Sequence, residues 1–156
     1  HTHNIRLPYN RIEAALRKNA SLLTEPKKPC LVEFDCHEGN IFVKDTGHGY
    51  EIEGILDFER SFWGDPFADF PAAFVFTDDV RREKAFLAAY LKASRRTAYT
   101  AADARRGQLY RLYLMTIMAS EVFRYGFFYG KLQGLWAKVQ IRKCLKTLSQ
   151  ADHSED

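Results

Sequence analysis

Two short apolar runs flank the loop Asp45-Thr46-Gly47-His48-Gly49, and this arrangement constrains the chain more than any other stretch. Ile41-Phe42-Val43 leads into the loop and Ile52-Glu53-Gly54-Ile55-Leu56 leads out of it. β-Branched and aromatic residues on both sides of a glycine-bearing turn predict a β-hairpin, with strands over 41–44 and 52–56. A hairpin returns the chain to its starting point. Asn40, just before the first strand, and Asp57, just after the second, are therefore expected side by side. Asp35 precedes Asn40, and the four residues Cys36-His37-Glu38-Gly39 between them suffice for a loop that turns both side chains towards one cleft.

An aspartate, an amide and a second aspartate in that order suit phosphoryl transfer. That reaction asks the protein mainly for positioning and charge neutralisation. One aspartate orients the attacking hydroxyl and accepts its proton, while the amide oxygen and the other aspartate hold metal ions that bridge the phosphates. Taken alone, Asp35 and Asn40 are also ordinary turn formers. What lifts them above that reading is the sequel, Leu56-Asp57-Phe58-Glu59 and then Gly64-Asp65-Pro66-Phe67-Ala68-Asp69.

With these sub-motifs in order, the stretch resembles the C-terminal lobe of the aminoglycoside phosphotransferase and choline kinase group of protein-kinase-like enzymes. The pattern of that group is roughly H-G-D-x-x-x-x-N, a hairpin, then I-D-F/W-E and G-D-P-x-x-D. The resemblance implies an α+β fold, mostly helical, in which a small β-hairpin carries the catalytic and metal loops. It implies an ATP- and Mg²⁺-dependent phosphotransferase acting on a small-molecule hydroxyl. Asp35 would be the catalytic base and Asn40 and Asp57 the Mg²⁺ ligands. Glu59 would stand as a supporting carboxylate behind them, and Asp65 and Asp69 would support the loop, Asp69 by bonding back to it. One departure is plain: Glu33-Phe34 stands where the group has His-Gly, which touches the support of the loop more than its chemistry.

Length sharpens the expectation. About 30 of the 156 residues precede the catalytic stretch, and they read as a helix, with neither a Gly-rich phosphate loop nor a strand lysine of the V-A-I-K type. The chain is therefore expected to be one domain over 1–156, a C-terminal lobe without the ATP-binding lobe, which the same or another chain would supply. Residues that hold the nucleotide are not assignable, and the isolated chain is expected to be silent in catalysis. Two alternatives stand beside this reading: a non-catalytic binding or regulatory module that keeps the lobe's fold, and a lobe completed by another chain.

Composition bounds the rest. An apolar share of 46% predicts a substantial core, and no 18-residue apolar run predicts a membrane span. Cys30, Cys36 and Cys144 lack metal-ligand spacing and suit a reducing compartment, so a cytoplasmic protein with no membrane partner is expected. His37 beside Cys36 has no further ligand at a suitable spacing, and His1 and His3 read as a polar lead-in. Charge is uneven: residues 33–69 hold ten acidic side chains against two basic ones, a net of −8, whereas 70–156 hold fifteen basic against eight acidic, a net of +7. The acidic stretch suits bound cations and favours a polycationic acceptor such as an aminoglycoside. The basic helices favour a neutral or less cationic acceptor. Their charges alternate with apolar positions, so they read as solvated faces and not as a nucleic-acid surface.

Along the chain, apolar spacing predicts a helix over 9–23, ended by the Thr24–Pro29 breaker. Further helices are expected over 78–93, from a capping box at Thr100 and Asp103 to 125, and over 135–148, with Gly126, Gly130 and Gly134 in the connection before the last. Phe127, Phe128 and Tyr129 are expected in the core, with a place lining a substrate pocket as the alternative, and 149–156 as a frayed tail.

Overall fold

The computed structural model describes residues 6–25 and 28–150; the start of the lead-in, Pro26, Lys27 and the tail from 151 lie outside the described residues. Its elements are helices α1 (Tyr9–Lys18), α2 (Phe70–Ala73), α3 (Lys84–Ser94), α4 (Ala101–Ser120) and α5 (Phe127–Gln150), and strands β1 (Cys30–Val32), β2 (Ile41–Asp45), β3 (Tyr50–Ile55) and β4 (Phe62–Gly64), with short 3₁₀ turns between them. The strands form two antiparallel pairs, β1 with β4 and β2 with β3. The chain divides into two compact units, one of residues 1–25 and 105–156, the other of 26–104.

The first unit is helical. Leu109, Leu112, Met115 and Ala119 of α4 are buried, as are Ala137, Ile141, Cys144, Leu145 and Leu148 of α5, at the spacing of one helix face. Arg106, itself buried, pairs with Glu25 at 2.8 Å. α1 stops at Lys18, short of the expected 23, because the Asn19 side-chain amide donates back to the Ala15 carbonyl at 2.8 Å and a 3₁₀ turn follows. That is the local competition for backbone groups that asparagine brings.

α5 corrects the reading of the glycines. It begins at Phe127, not 135, so Gly130 and Gly134 are inside a helix and not in a connection. A Cβ on Gly130 would stand 2.6 Å from the Val122 carbonyl oxygen, so the helix meets the preceding 3₁₀ turn at a distance only glycine allows. Phe127, Phe128 and Tyr129 are exposed and not core, Phe128 at 82%.

The second unit is built on an aromatic cluster. Phe67, wholly buried, meets the rings of Phe70 (5.1 Å), Tyr90 (5.9 Å) and Tyr99 (5.3 Å), and Phe70 meets Phe86 at 5.2 Å. The edge-on pairs among them, Phe67–Tyr99 and Phe70–Phe86, add to burial through the ring quadrupoles. The Arg96 guanidinium lies 5.2 Å over Phe67 and also bonds Asp103 at 2.6 Å. The expected capping box opens α4 reciprocally: the Asp103 N–H donates to Thr100 Oγ1 (3.1 Å) and the Thr100 N–H to Asp103 Oδ2 (2.8 Å). α3 starts at Lys84, later than expected, because Asp79 caps a 3₁₀ turn at 80–82 first.

Candidate active site

The candidate site residues Asp35, Asn40, Asp57, Glu59, Asp65 and Asp69 all lie in the second unit. β1 pairs with β4, with Val32 opposite Phe62, and leads directly into the turn that carries Asp35. In that turn Phe34 has φ 65°, a left-handed conformation that costs a side-chain-bearing residue roughly 1–2 kcal/mol. Three contacts hold it. The Phe34 N–H donates to Asp69 Oδ1 at 2.7 Å, the Asp35 N–H donates to Glu33 Oε2 at 3.1 Å, and the buried Phe34 ring packs against Phe62 at 5.6 Å. Phe34 thus adopts, under constraint, the backbone that the Gly of the His-Gly pattern would take freely.

The loop closes on the carbonyl of Asp35. It accepts the His37 N–H at 2.8 Å and the Asn40 Nδ2–H at 3.0 Å. With its amide nitrogen committed to the loop, Asn40 offers its Oδ1 as the atom for a cation. The predicted hairpin forms with Ile41 opposite Ile55, and an irregularity at Phe42/Val43 leaves Glu53 as the extra residue. Beyond the ladder, the Leu56 N–H donates to the Asn40 carbonyl at 2.9 Å, so Asp57 follows directly on the residue bonded to Asn40. The hairpin therefore brings Asn40 and Asp57 to one end. Asp57 also has a left-handed backbone, φ 65° and ψ 57°, and is exposed. Asp35 is half-buried with the His37 imidazole 4.0 Å from its Oδ1. Glu59 is exposed in the turn after Asp57.

Asp69 bonds back to the loop, whereas Asp65 caps the turn that precedes Asp69. Asp65 is buried, and its Oδ1 accepts the Phe67 N–H at 3.1 Å as the cap of a 3₁₀ turn with Pro66 at its first position, where a missing N–H costs nothing. Burial pushes the Asp69 carboxyl above the usual range, opposed by the backbone N–H groups of Phe34 and Glu33. Burial likewise raises Glu33, opposed by the Asp35 N–H and reinforced by the charges of Asp69 and Asp35. The Cys36 thiol is raised by burial and by the same two carboxylates, Glu33 and Asp69.

Glu33 is what motif reasoning passed over. Its signal was present, since a charged residue inside the apolar run Leu31-Val32-Glu33-Phe34 marks a carboxylate carried into the interior. The pairing of β1 with β4, which shapes this floor, had no local signal.

Hard oxygen donors from Asn40 and Asp57 suit Mg²⁺, which keeps several waters and takes few protein ligands. Among the described residues no three His, Cys, Asp or Glu side chains gather into a set able to hold a metal ion by themselves. A site of two protein oxygens completed by phosphate is the arrangement these residues fit.

Residues 3–110 match the phosphotransferase enzyme family. The chain belongs to that family. Among solved structures it is similar to a thermostable mutant of the aminoglycoside phosphotransferase APH(4)-Ia in its apo form, with a TM-score of 0.56 and 16% identity. The likeness covers 92% of this chain and 46% of that one, so the chain spans about half the length of the structure it matches. No curated protein matches it. The shared fold accords with the C-terminal lobe of a protein-kinase-like phosphotransferase, mostly helical with small antiparallel strand pairs. No helix among the described residues is long and apolar enough to cross a membrane.

Proposed function

We propose that this chain is the catalytic and acceptor-binding lobe of an ATP- and Mg²⁺-dependent phosphotransferase that phosphorylates a hydroxyl of a small molecule. The observation that carries the reading is the closure of one loop by Asn40 on the Asp35 carbonyl, with Asp57 following the residue bonded to Asn40. Asp35 orients the acceptor hydroxyl and takes its proton as the oxygen bonds to the γ-phosphorus. The bond from that phosphorus to the β,γ-bridging oxygen breaks, and ADP leaves. Asn40 Oδ1 and the Asp57 carboxylate would hold Mg²⁺, which would supply charge neutralisation at the phosphates. Glu59, on the turn after Asp57, would stand as a supporting carboxylate behind these ligands.

The nucleotide is brought by an ATP-binding lobe, in the same polypeptide or another. The outward apolar side chains Phe42, Val43, Ile52 and Trp63 give such a lobe a surface to cover. Supporting a cytoplasmic setting are the use of ATP and the thiols Cys30 and Cys36. Charge leaves two acceptor classes for the panel to decide between: the acidic stretch around the site draws cations such as an aminoglycoside, whereas residues 70–156 are on balance basic, which leaves a sugar, amino alcohol or macrolide open.

The test is phosphate transfer by this chain joined to its ATP-binding lobe, across an acceptor panel at low and high salt. Asp35→Asn is expected to lower turnover by about 10²–10⁴, the range for a lost general base. Asp57→Asn is expected to raise the Mg²⁺ requirement. Full turnover in Asp35→Asn would refute the reading. A kcat/KM that collapses with salt would identify a cationic acceptor.

A further inference from the structure

Glu33 makes one contact that no catalytic role accounts for: its Oε2 accepts the backbone N–H of Asp35 at 3.1 Å. The residue is 6% exposed, and its other carboxylate oxygen, Oε1, is buried with no hydrogen-bond partner. A buried carboxylate left half-satisfied is costly. Glutamine would bring the same acceptor geometry without a charge, and leucine or valine would continue the apolar run. Asp69 performs the neighbouring duty on the Phe34 N–H at 2.7 Å. Together the two carboxylates grip consecutive amides on either side of the left-handed Phe34, the strained residue that sets the direction in which Asp35 leaves β1.

We propose that Glu33 is a positioning residue for Asp35, its carboxylate clamping the amide of the aspartate and thereby setting the orientation of the base. The inference rests on the reading of Asp35 as base. A charged acceptor makes a hydrogen bond about twice as strong as a neutral one, so the clamp is tight when Glu33 is ionised and slack when it is protonated. The titratable groups facing Glu33 are Asp35 and Cys36 from its own loop and Asp69 from the end of the 3₁₀ turn at 66–68. Burial, with Asp69 and Asp35 adding to it, raises the Glu33 carboxyl above its ordinary value. Turnover therefore gains an acid limb that belongs to Glu33 and not to the base.

Two measurements test this. In the Asp35→Asn chain, where position 35 carries no carboxyl of its own, the residue-35 amide proton, followed by NMR across a pH titration, is expected to move as Glu33 ionises, and adding Glu33→Gln is expected to abolish that inflection. In the chain joined to its ATP-binding lobe, Glu33→Ala is expected to lower kcat by roughly 10- to 100-fold with KM for ATP unchanged, the scale for a misplaced catalytic group. Glu33→Gln, a neutral acceptor at every pH, is expected to hold kcat between that of wild type and that of Glu33→Ala and to lose the acid limb. A residue-35 amide inflection that survives Glu33→Gln in the Asp35→Asn chain, or a Glu33→Gln pH profile of turnover identical to wild type, overturns the proposal. Those two readings decide it even where Glu33→Ala does not fold. If Asp35→Asn keeps full turnover while the amide titration behaves as expected, the clamp stands and the base assignment falls.

Discussion

The loop that carries Asp35 and the hairpin that carries Asn40 and Asp57 meet at one site, yet they are held by opposite means. Around the loop, Val32, Glu33 and Phe34 are all at or below 6% exposure, and two carboxylates grip successive amides. The hairpin shows Phe42, Val43, Tyr50 and Ile52 to solvent, each above half exposed, and is ordered chiefly by its own ladder and by the bond from Leu56 to Asn40. The proposed base is thus fixed by the interior, whereas the proposed metal arm is fixed by local pairing. A two-stranded hairpin in water is marginal by itself. The difference teaches that the proposed metal side is the softer half of the site.

The comparison breaks first at the floor of the loop. Phe67→Ala removes the ring at the centre of the aromatic cluster and is expected to cost about 3–5 kcal/mol in chemical denaturation, the range for a fully buried phenylalanine. A loss under about 1 kcal/mol would show the cluster to be loosely packed. Next, Asp69→Ala strands the buried Phe34 N–H and is expected to cost about 1–3 kcal/mol, with Asp69→Asn costing less because it keeps an acceptor oxygen. Equal losses for the two would remove the hydrogen bond from the account.

A smaller effect concerns Glu33 and shows itself through pH. Its carboxyl lies above the ordinary 4.5 because it is buried, so the folded chain holds that proton more tightly than the unfolded chain. The group's contribution to stability is complete below 4.5 and declines as pH rises towards the raised value. Glu33→Gln is therefore expected to gain on wild type as pH rises through that window, and the gap should close below it. Urea midpoints at acidic and neutral pH measure this, and a gap that widens on acidification would reverse the sign. Stability and positioning then oppose each other at Glu33, since the ionised form that grips Asp35 is the one that destabilises the fold.

Smallest are the changes on the hairpin. Val43→Thr and Ile52→Thr are expected to move stability by no more than about 0.5 kcal/mol, as exposed positions do. A loss above about 2 kcal/mol from either would mean that the hairpin face is covered in solution, and the contrast with the loop would vanish.

Several elements were legible from the residues because their causes are local. The turn chemistry of Gly47 and Gly49, both at positive φ, sets the hairpin, and the hairpin in turn sets Asn40 beside Asp57. Asp65 capping before Pro66, and Thr100 exchanging bonds with Asp103, act within three residues of chain. Other features were decided only by tertiary contact. Val32 meets Phe62 across thirty residues, and the Phe34 amide finds Asp69 across thirty-five. Those partners make a left-handed phenylalanine tolerable where local preference alone would ask for glycine. Gly130 reads as a helix breaker by propensity, yet it sits inside α5 because the Val122 carbonyl approaches too closely for any side chain. Phe127 and Phe128 read as core by composition, yet they face outward because helix phase, and not hydrophobicity, settles which face is buried. Local chemistry determines which residues can turn, cap and pair; which strained or solvent-facing positions the chain will bear depends on contacts made by residues far apart in sequence.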